Sequence, residues 1–356
     1  MNILFLPQKS ILGASSRVRV YQFLKILSSK DVQYDVISGS TENLDKKIVQ
    51  SPSFIVKLQW FSYTFFARLF ALFRIRKYDV IFLQKVSLPN IFPIVEILIL
   101  LIGKKVVFDF DDAIYTAHRP HGFLRRFFSD NNSISRIIEK SNRIIVSNKF
   151  LAEYAGKFNK NINIIPSSVD FSEFDNVVVE KKLNQKTVIG WIGSPSTKVY
   201  LEMLNTVFHK LSNKVEFVLK IIGVESISFK NIDVICKRWD IDSYVSEIKS
   251  FDIGVMPLTD DQWTKGKAGY KLLQYMAAGV PSVASPVGVN CEIIQNGVNG
   301  FLAANEDEWI ESLHNLITNK DLSKRIGDEG KKSIKEKFSL EYNFPLWFDA
   351  VTKFEY

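Results

Sequence analysis

Lys267 and Lys271 stand four residues apart around Gly269 in the stretch GKAGYKLLQYMAAGVP, residues 266–281. Read as the opening of an amphipathic helix, they share one face, where like charges repel by roughly a few tenths of a kcal/mol unless an anion lies between them. Lysine at a helix N-terminus also opposes the macrodipole, so helix stability does not explain its place there. A phosphate does, because helix-start N–H groups and a nearby cation together bind it, and Gly266 and Gly269 let it approach the backbone. The plainer reading is a pair of solvated lysines.

Three further constellations carry similar chemistry. GWIGSPSTK (190–198) ends a strand at Gly193 and Ser194 and starts a helix near Ser196, with Lys198 in its first turn. This is a second phosphate-binding turn or an ordinary Ser-capped one. FDFDDAIYTAHRP (108–120) sets Asp109, Asp111 and Asp112 after an apolar run, with Tyr115 beyond them. Strand alternation puts Asp109 and Asp111 on one face, where carboxylates hold sugar hydroxyls, bind a metal or act as a base. The alternative is a turn with an Asp cap. GASSRVRVY (13–21) is a Gly/Ser loop after the first strand, and Gly13, Ser15, Ser16, Arg17 and Arg19 could meet a phosphorylated ligand or simply open a basic helix.

These segments need a frame. Apolar runs at 2–7, 34–40, 79–84, 105–112, 143–148 and 162–170 read as strands separated by helical periodicity. The pattern starts again at 187–194, 216–223, 232–238, 251–258 and 281–286, with one helix expected over 197–211. Alternating strands and helices imply parallel sheets with helices on both faces, hence an α/β chain of two doubly wound Rossmann-like domains. The expected domains are 1–168 and 169–336, with a final aromatic helix, 337–356, packing back on the first. In parallel sheets, ligands bind beyond the carboxyl ends of the strands, and two facing sheets would offer a cleft.

Composition narrows the function classes. The 356 residues carry a net charge of +8. Residues 1–165 hold 24 Lys and Arg against 12 Asp and Glu, leaving 22 against 26 in the remainder. The basic residues alternate with apolar segments instead of forming a basic run with exposed aromatics, which disfavours nucleic acid as a partner. Two cysteines and four distant histidines give neither a disulfide framework nor zinc spacing and suit a reducing cytoplasm. MNILFLPQKS reads as a first strand, not a signal peptide. The apolar runs 54–77 and 90–105 are interrupted by charge or too short to span a membrane, and read as buried helices of the first domain. A basic, aromatic face on them would add an anionic membrane surface as a partner.

Taken in order, SSRVRVYQ, VVFDFDDAIY, RIIVSNKFLAEYA, INIIPSSVD, IGWIGSPSTKVYLE, FDIGVMPL, GKAGYKLLQYMAAGVPSVASPVGVN and NGVNGFLA resemble the family-4, group 1 glycosyltransferases of the two-domain GT-B fold over essentially the whole chain. That resemblance implies a retaining transferase with a nucleotide-diphosphate sugar as donor and no obligatory cofactor or metal. It implies a glycan or lipid-linked acceptor, in bacterial surface polysaccharide synthesis on the inner face of the membrane. It places Gly193, Ser194 and Lys198 at the diphosphate, and Gly266, Lys267, Gly269, Tyr270, Lys271 and Gln274 at the diphosphate, ribose and donor sugar. Arg238 and Trp239 would face the base. Lys198 and Lys267 would stabilise the leaving group, and Asp111 or Asp112 would orient the acceptor. The family's two glutamates, with seven residues between them, fall here on Gly266 and Gln274, which defines a lysine-rich subgroup. A non-catalytic nucleotide-sugar-binding scaffold and a nucleotide-sugar epimerase on the same fold are the alternatives.

Overall fold

The structure, a computed structural model, describes residues 1–51, 53–87, 93–116, 132–180 and 186–354. Residues 90–92 of the second apolar run, residues 117–120 of the Asp-rich segment, and His118 and His121 lie outside them.

Two compact units emerge, Met1–Ser167 with Asn343–Tyr356, and Ser168–Tyr342. The first is built on β1 (Asn2–Leu6), β2 (Gln33–Val36), β3 (Val80–Gln84), β4 (Val106–Phe110), β5 (Arg143–Val146) and β6 (Ile162–Ile164). They pair in parallel in the order β2-β1-β3-β4-β5-β6. β3 and β4 are buried along their whole length, as helices on both faces of a parallel sheet require. The strand order reverses between β1 and β3, so the loops after these strands are where a ligand would lie.

The second unit holds β7 (Thr187–Ile192), β8 (Phe217–Ile222), β9 (Asp233–Lys237), β10 (Ile253–Met256), β11 (Ser282–Ala284) and β12 (Phe301–Leu302). They too are parallel, in the order β12-β11-β10-β7-β8-β9, with the reversal between β7 and β10. β12 is a strand that the sequence pattern does not announce, since two residues are too few to show a period. The single helix expected over 197–211 is instead two, Lys198–Glu202 and Asn205–Ser212.

The terminal helix, Leu340–Thr352, brings Trp347 into the core of the first unit. The indole stacks on Phe23 at 4.7 Å and Phe5 at 5.9 Å and is fully buried.

One expectation fails outright. The helix Phe54–Arg74 is not a buried helix: the residues it buries are Thr64, Arg68 and Ala71, while most of its phenylalanines face outward. Arg68 Nε donates to Ser87 Oγ at 2.6 Å, and its other nitrogens donate to the Ile37 and Pro7 carbonyls, each at 2.6 Å. Thr64 Oγ1 donates to the Gly39 carbonyl at 2.6 Å. These bonds tie together the loops that follow β1, β2 and β3 and pair the Ile37 and Gly39 carbonyls. Burial lowers the Arg68 pKa to about 10, with Glu96 opposing part of the shift.

Candidate functional site

In the first unit, polar groups gather beyond β3 and β4. Lys85 follows β3 directly, in a left-handed backbone (φ +57°) that is rare for a residue with a side chain. Its Nζ lies 2.7 Å from Asp111 Oδ1 and 2.6 Å from Asp112 Oδ2. Ser15 Oγ donates to Asp111 Oδ1 at 2.7 Å, and Gln84 Nε2 donates to Ser15 Oγ at 2.8 Å. Ser16 Oγ donates to Gln84 Oε1 at 2.9 Å. The loop after β1 is therefore stitched to the ends of β3 and β4. Burial alone would lower the Lys85 pKa, but Asp111 and Asp112 outweigh it and hold the ammonium above its usual value. Burial would likewise raise Asp111, yet Lys85, Arg19 and the Ser15 hydroxyl keep its carboxyl below the usual range. Lys85 and Asp111 are thus a fixed pair of charges at neutral pH, and Asp112 is the most exposed member of the group.

Arg19 and Asp109 take a different place from the one expected of them. Both are 0% exposed. The Arg19 Nη2 lies 2.6 Å from Asp109 Oδ2, its Nε 3.1 Å from both carboxylate oxygens, and its Nη1 donates to the Ile165 carbonyl at 2.7 Å. They form an internal brace under the site instead of ligand contacts, because Asp109 lies within β4, which is buried along its whole length, while Asp111 lies beyond its end. Burial pushes the Asp109 carboxyl up to about 6 despite Arg19, so the pair is ionised at neutral pH. Each of the three aspartates is thus answered by a cation of the chain. Arg17 is also buried and donates to the Ile11 carbonyl at 3.3 Å. Tyr115 stacks on Tyr154 with ring centroids 3.4 Å apart, and burial followed by Tyr154 and Glu153 raises its hydroxyl to about 12. Lys85 is the residue that sequence reasoning missed. Its signal was a cation ending VIFLQK, one strand before the strand ending FDFDD.

In the second unit, the residues expected at the donor converge beyond β7 and β10. The helix Tyr270–Ala277 begins at Gly269, whose φ is +68°. A Cβ there would stand 2.6 Å from Ile293 Cδ1 as well as in a strained conformation. Lys267 consequently lies in the loop before the helix and not on a face shared with Lys271, which corrects the expected pairing. Aromatic rings gather the two lysines instead. Lys267 Nζ is 5.2 Å from the Trp263 ring centroid and 5.7 Å from that of Tyr200. Lys271 Nζ is 5.5 Å from the Trp191 ring, which also lies against Gly193. Tyr200 belongs to the helix that Lys198 opens, so the turn after β7 and the loop before Gly269 meet. The Asp261 carboxylate caps the intervening helix Gln262–Lys265, accepting from the Trp263 and Thr264 N–H groups at 2.9 Å each. Gly266 ends that helix.

Beneath this surface, Tyr275 Oη accepts from the Ile192 N–H at 3.0 Å and joins the end of β7 to the helix. Gly223, after β8, has φ +91°, and a Cβ there would stand 2.0 Å from the Gly193 carbonyl oxygen, so the two loops touch through bare backbone. Asn290 is fully buried, donates to the Ser285 carbonyl at 3.0 Å, and leaves its Oδ1 without a partner. The remaining predicted residues sit less centrally. Lys198 pairs with Glu202 at 3.3 Å, and Ser194 shares a hydrogen bond with Ser196. Arg238 pairs with Glu225 at 2.9 Å on the exposed surface, and Trp239 packs on Tyr244. Gln274 is 4% exposed, inside the helix and away from solvent.

The arrangement gathers two lysines and a helix start beyond the carboxyl ends of a parallel sheet, and comparison with known proteins gives the fold a class. Residues 186–319 match the family model described as "Glycosyl transferases group 1". That match lies within the second unit, and the chain as a whole has the GT-B fold of two Rossmann-like domains. It is similar to sucrose-phosphate synthase from Thermosynechococcus elongatus, with a TM-score of 0.73 and 12% identity over 98% of both chains. Anabaena HepE, solved in complex with UDP and glucose, gives a TM-score of 0.67 and 13% identity over 99% of both chains. A glycosyltransferase from Rickettsia africae gives 0.68 and 17% identity, covering 98% of this chain and 97% of its own. No curated protein sequence matches the chain.

Proposed function

We propose that the protein is a retaining glycosyltransferase that moves a sugar from a nucleotide-diphosphate donor to a glycan or lipid-linked acceptor, in surface polysaccharide synthesis on the cytoplasmic side of the membrane. The observation that carries it is the gathering of Lys267, Lys271 and the Gly193 turn beyond β7 and β10, inside the segment that matches the group 1 family. A diphosphate brought there meets two cations and the opening N–H groups of a helix. As the bond from the sugar C1 to the diphosphate oxygen breaks, negative charge grows on the leaving group. Preorganised cations stabilise that charge without reorganising, which is the largest contribution available to such a reaction. The acceptor oxygen then bonds to C1 on the face the diphosphate leaves, and its proton passes to a departing phosphate oxygen. Lys198, at the next helix start, is a further cation for the same charge.

On the first unit, Asp112 with Asp111 and Lys85 forms the array that orients an acceptor hydroxyl. Lys85 holds both carboxylates in place, and Ser15 fixes Asp111. The scaffold reading has one supporting observation: Gln274 is buried where the family's pattern has a carboxylate at the donor.

The test is a thermal-shift panel of nucleotides and nucleotide sugars, followed by product analysis. HepE has been solved with UDP-glucose, which makes uridine nucleotides the first members of the panel. A ligand present at about a hundred times its Kd stabilises by about 2.7 kcal/mol, a readily visible shift. Stabilisation with release of nucleoside diphosphate and transfer to an acceptor supports the transferase. Stabilisation without turnover favours the scaffold, isomerised donor favours an epimerase, and no stabilisation by any nucleotide removes all three.

A further inference from the structure

The helix Phe54–Arg74 is inside out. A helix on a globular domain normally turns its apolar stripe inward. This one turns Thr64, Arg68 and Ala71 inward and presents Phe54, Phe66, Phe70 and Phe73 to solvent, with Phe54 79% and Phe73 80% exposed. At 21 residues it runs about 31 Å along the surface. The helix Ile94–Ile102 packs beside it and extends the apolar surface with Ile94 and Leu101, both exposed. A surface of this size calls for a cover.

Charge identifies the cover. Between Ser51 and Tyr78 the sequence has no Asp or Glu, while Lys57, Arg76 and Lys77 are exposed along the helix and at its end. Glu96, the acidic residue of the neighbouring helix, is buried and accepts from the Ser87 N–H at 2.8 Å. A second copy docked face to face would bring like charges together. An anionic bilayer complements them, and the aromatic rings suit the boundary between headgroups and acyl chains. Among the described residues no helix is long and apolar enough to cross a membrane, so this surface would lie on one.

We infer that the paired helices Phe54–Arg74 and Ile94–Ile102 form a docking surface for an anionic phospholipid membrane. The surface is rigidly tied to the rim of the first sheet. Arg68 and Thr64 bind the carbonyls of the loops after β1 and β2, and Arg68 also binds Ser87, two residues beyond Lys85. Docking therefore presents the Lys85–Asp111–Asp112 array at a fixed distance from the lipid surface.

Flotation of the full chain with phosphatidylcholine vesicles, with and without phosphatidylglycerol, tests this. Binding should require phosphatidylglycerol and fall as salt rises. The double variant Phe66→Glu/Phe73→Glu should weaken binding at least about a hundredfold, since each buried phenylalanine carries about tenfold or more. Lys57→Glu/Arg76→Glu should weaken it about thirtyfold or more on anionic vesicles, since each cation near the surface is worth about fivefold. All four positions are at the surface, so circular dichroism and thermal melting should match the wild type, and a variant that fails this check is replaced by Phe→Ser at the same site. No binding to anionic vesicles at low salt overturns the inference. So does a stable dimer that the Phe66→Glu/Phe73→Glu variant dissociates, which would assign the surface to a second copy. No sugar donor enters the assay, so its failure leaves the transferase reading intact, and failure of that reading leaves vesicle binding intact.

Discussion

Lys85 reaches Asp111, 2.7 Å away, from a left-handed backbone that a lysine adopts only at a cost. A non-glycine residue held there stores about 1–3 kcal/mol, so the contact must be over-determined by its surroundings. The second carboxylate, Asp112, and the Lys85 N–H bond to the Asp109 carbonyl at 2.8 Å provide that. Strain kept beside an array of charges at the carboxyl ends of parallel strands is what the proposed acceptor role would use.

Lys85→Met keeps the stem and removes the charge. The two carboxylates then repel each other and swing out of position. Turnover with acceptor should fall about a hundredfold or more, while donor hydrolysis and the thermal shift given by nucleotide stay close to wild type. Equal loss of both activities would place Lys85 in the general stability of the fold and not in acceptor positioning.

The same pair sets a pH window. Asp111 has a folded pKa below its ordinary 3.8, so the stability it contributes is present above pH 3.8 and is lost as pH falls through the folded value. Lys85 has a folded pKa above its ordinary 10.5, so its contribution is present below pH 10.5 and is lost as pH rises beyond it. Asp109 runs the other way, since its raised value of about 6 makes its contribution strongest at low pH and lost as pH rises through 6. Below pH 3.8, wild type should lose stability more steeply than Lys85→Met, in which Asp111 has lost its main partner. Thermal melts of the two proteins across that range decide it, and parallel curves would remove the pair as the cause.

Arg19→Met should destabilise the first unit by about 3–5 kcal/mol, because it leaves Asp109 buried without its partner. The double variant Arg19→Met/Asp109→Leu should recover much of that loss, since two apolar groups need no partner. Melting temperatures of the two variants give the comparison. Equal destabilisation by single and double variants would show that the Ile165 carbonyl bond, and not the ion pair, supplies the stability.

Lys267→Ala should reduce turnover by about two orders of magnitude, the scale for removing one preorganised charge from a leaving group. Trp263→Ala removes one ring from beside the ammonium and should act mainly on donor KM, by about threefold to thirtyfold, the range of a cation–π contact. Steady-state kinetics separate the two. Near-normal kcat in Lys267→Ala would take this lysine out of the chemical step.

Gly269→Ala meets both a positive φ and the Ile293 methyl at 2.6 Å. It should lower stability of the second unit by about 2 kcal/mol or more and abolish nucleotide binding, because the helix start that it disturbs is the proposed phosphate surface. Retained nucleotide binding would move the phosphate elsewhere on β7 and β10.

Much of this was legible in the chain because the central parallel strands, such as VIFLQ and VVFDF, read as continuous apolar runs, and eleven of the twelve strands among the described residues fall on segments that the sequence marks. Phe301–Leu302 does not, being shorter than any period. The helix start at Tyr270 was misplaced because left-handed glycine leaves no trace in hydrophobic spacing. Arg19 and Asp109 look like surface chemistry until the strand order turns them toward each other. The helix Phe54–Arg74 is apolar on nearly every side, so periodicity could not say which side is buried, and Arg68 was the clue: an arginine well inside an apolar helix has carbonyls to serve.

Those carbonyls bear on how the protein can be handled. A helix rich in exposed phenylalanine invites deletion by anyone preparing the protein without detergent. Cutting it out would strip three loops of the guanidinium that closes them, and the rim carrying Lys85 would go with it. Only the outward-facing side chains are expendable, so solubility must be sought by exchanging them one by one with the backbone left whole.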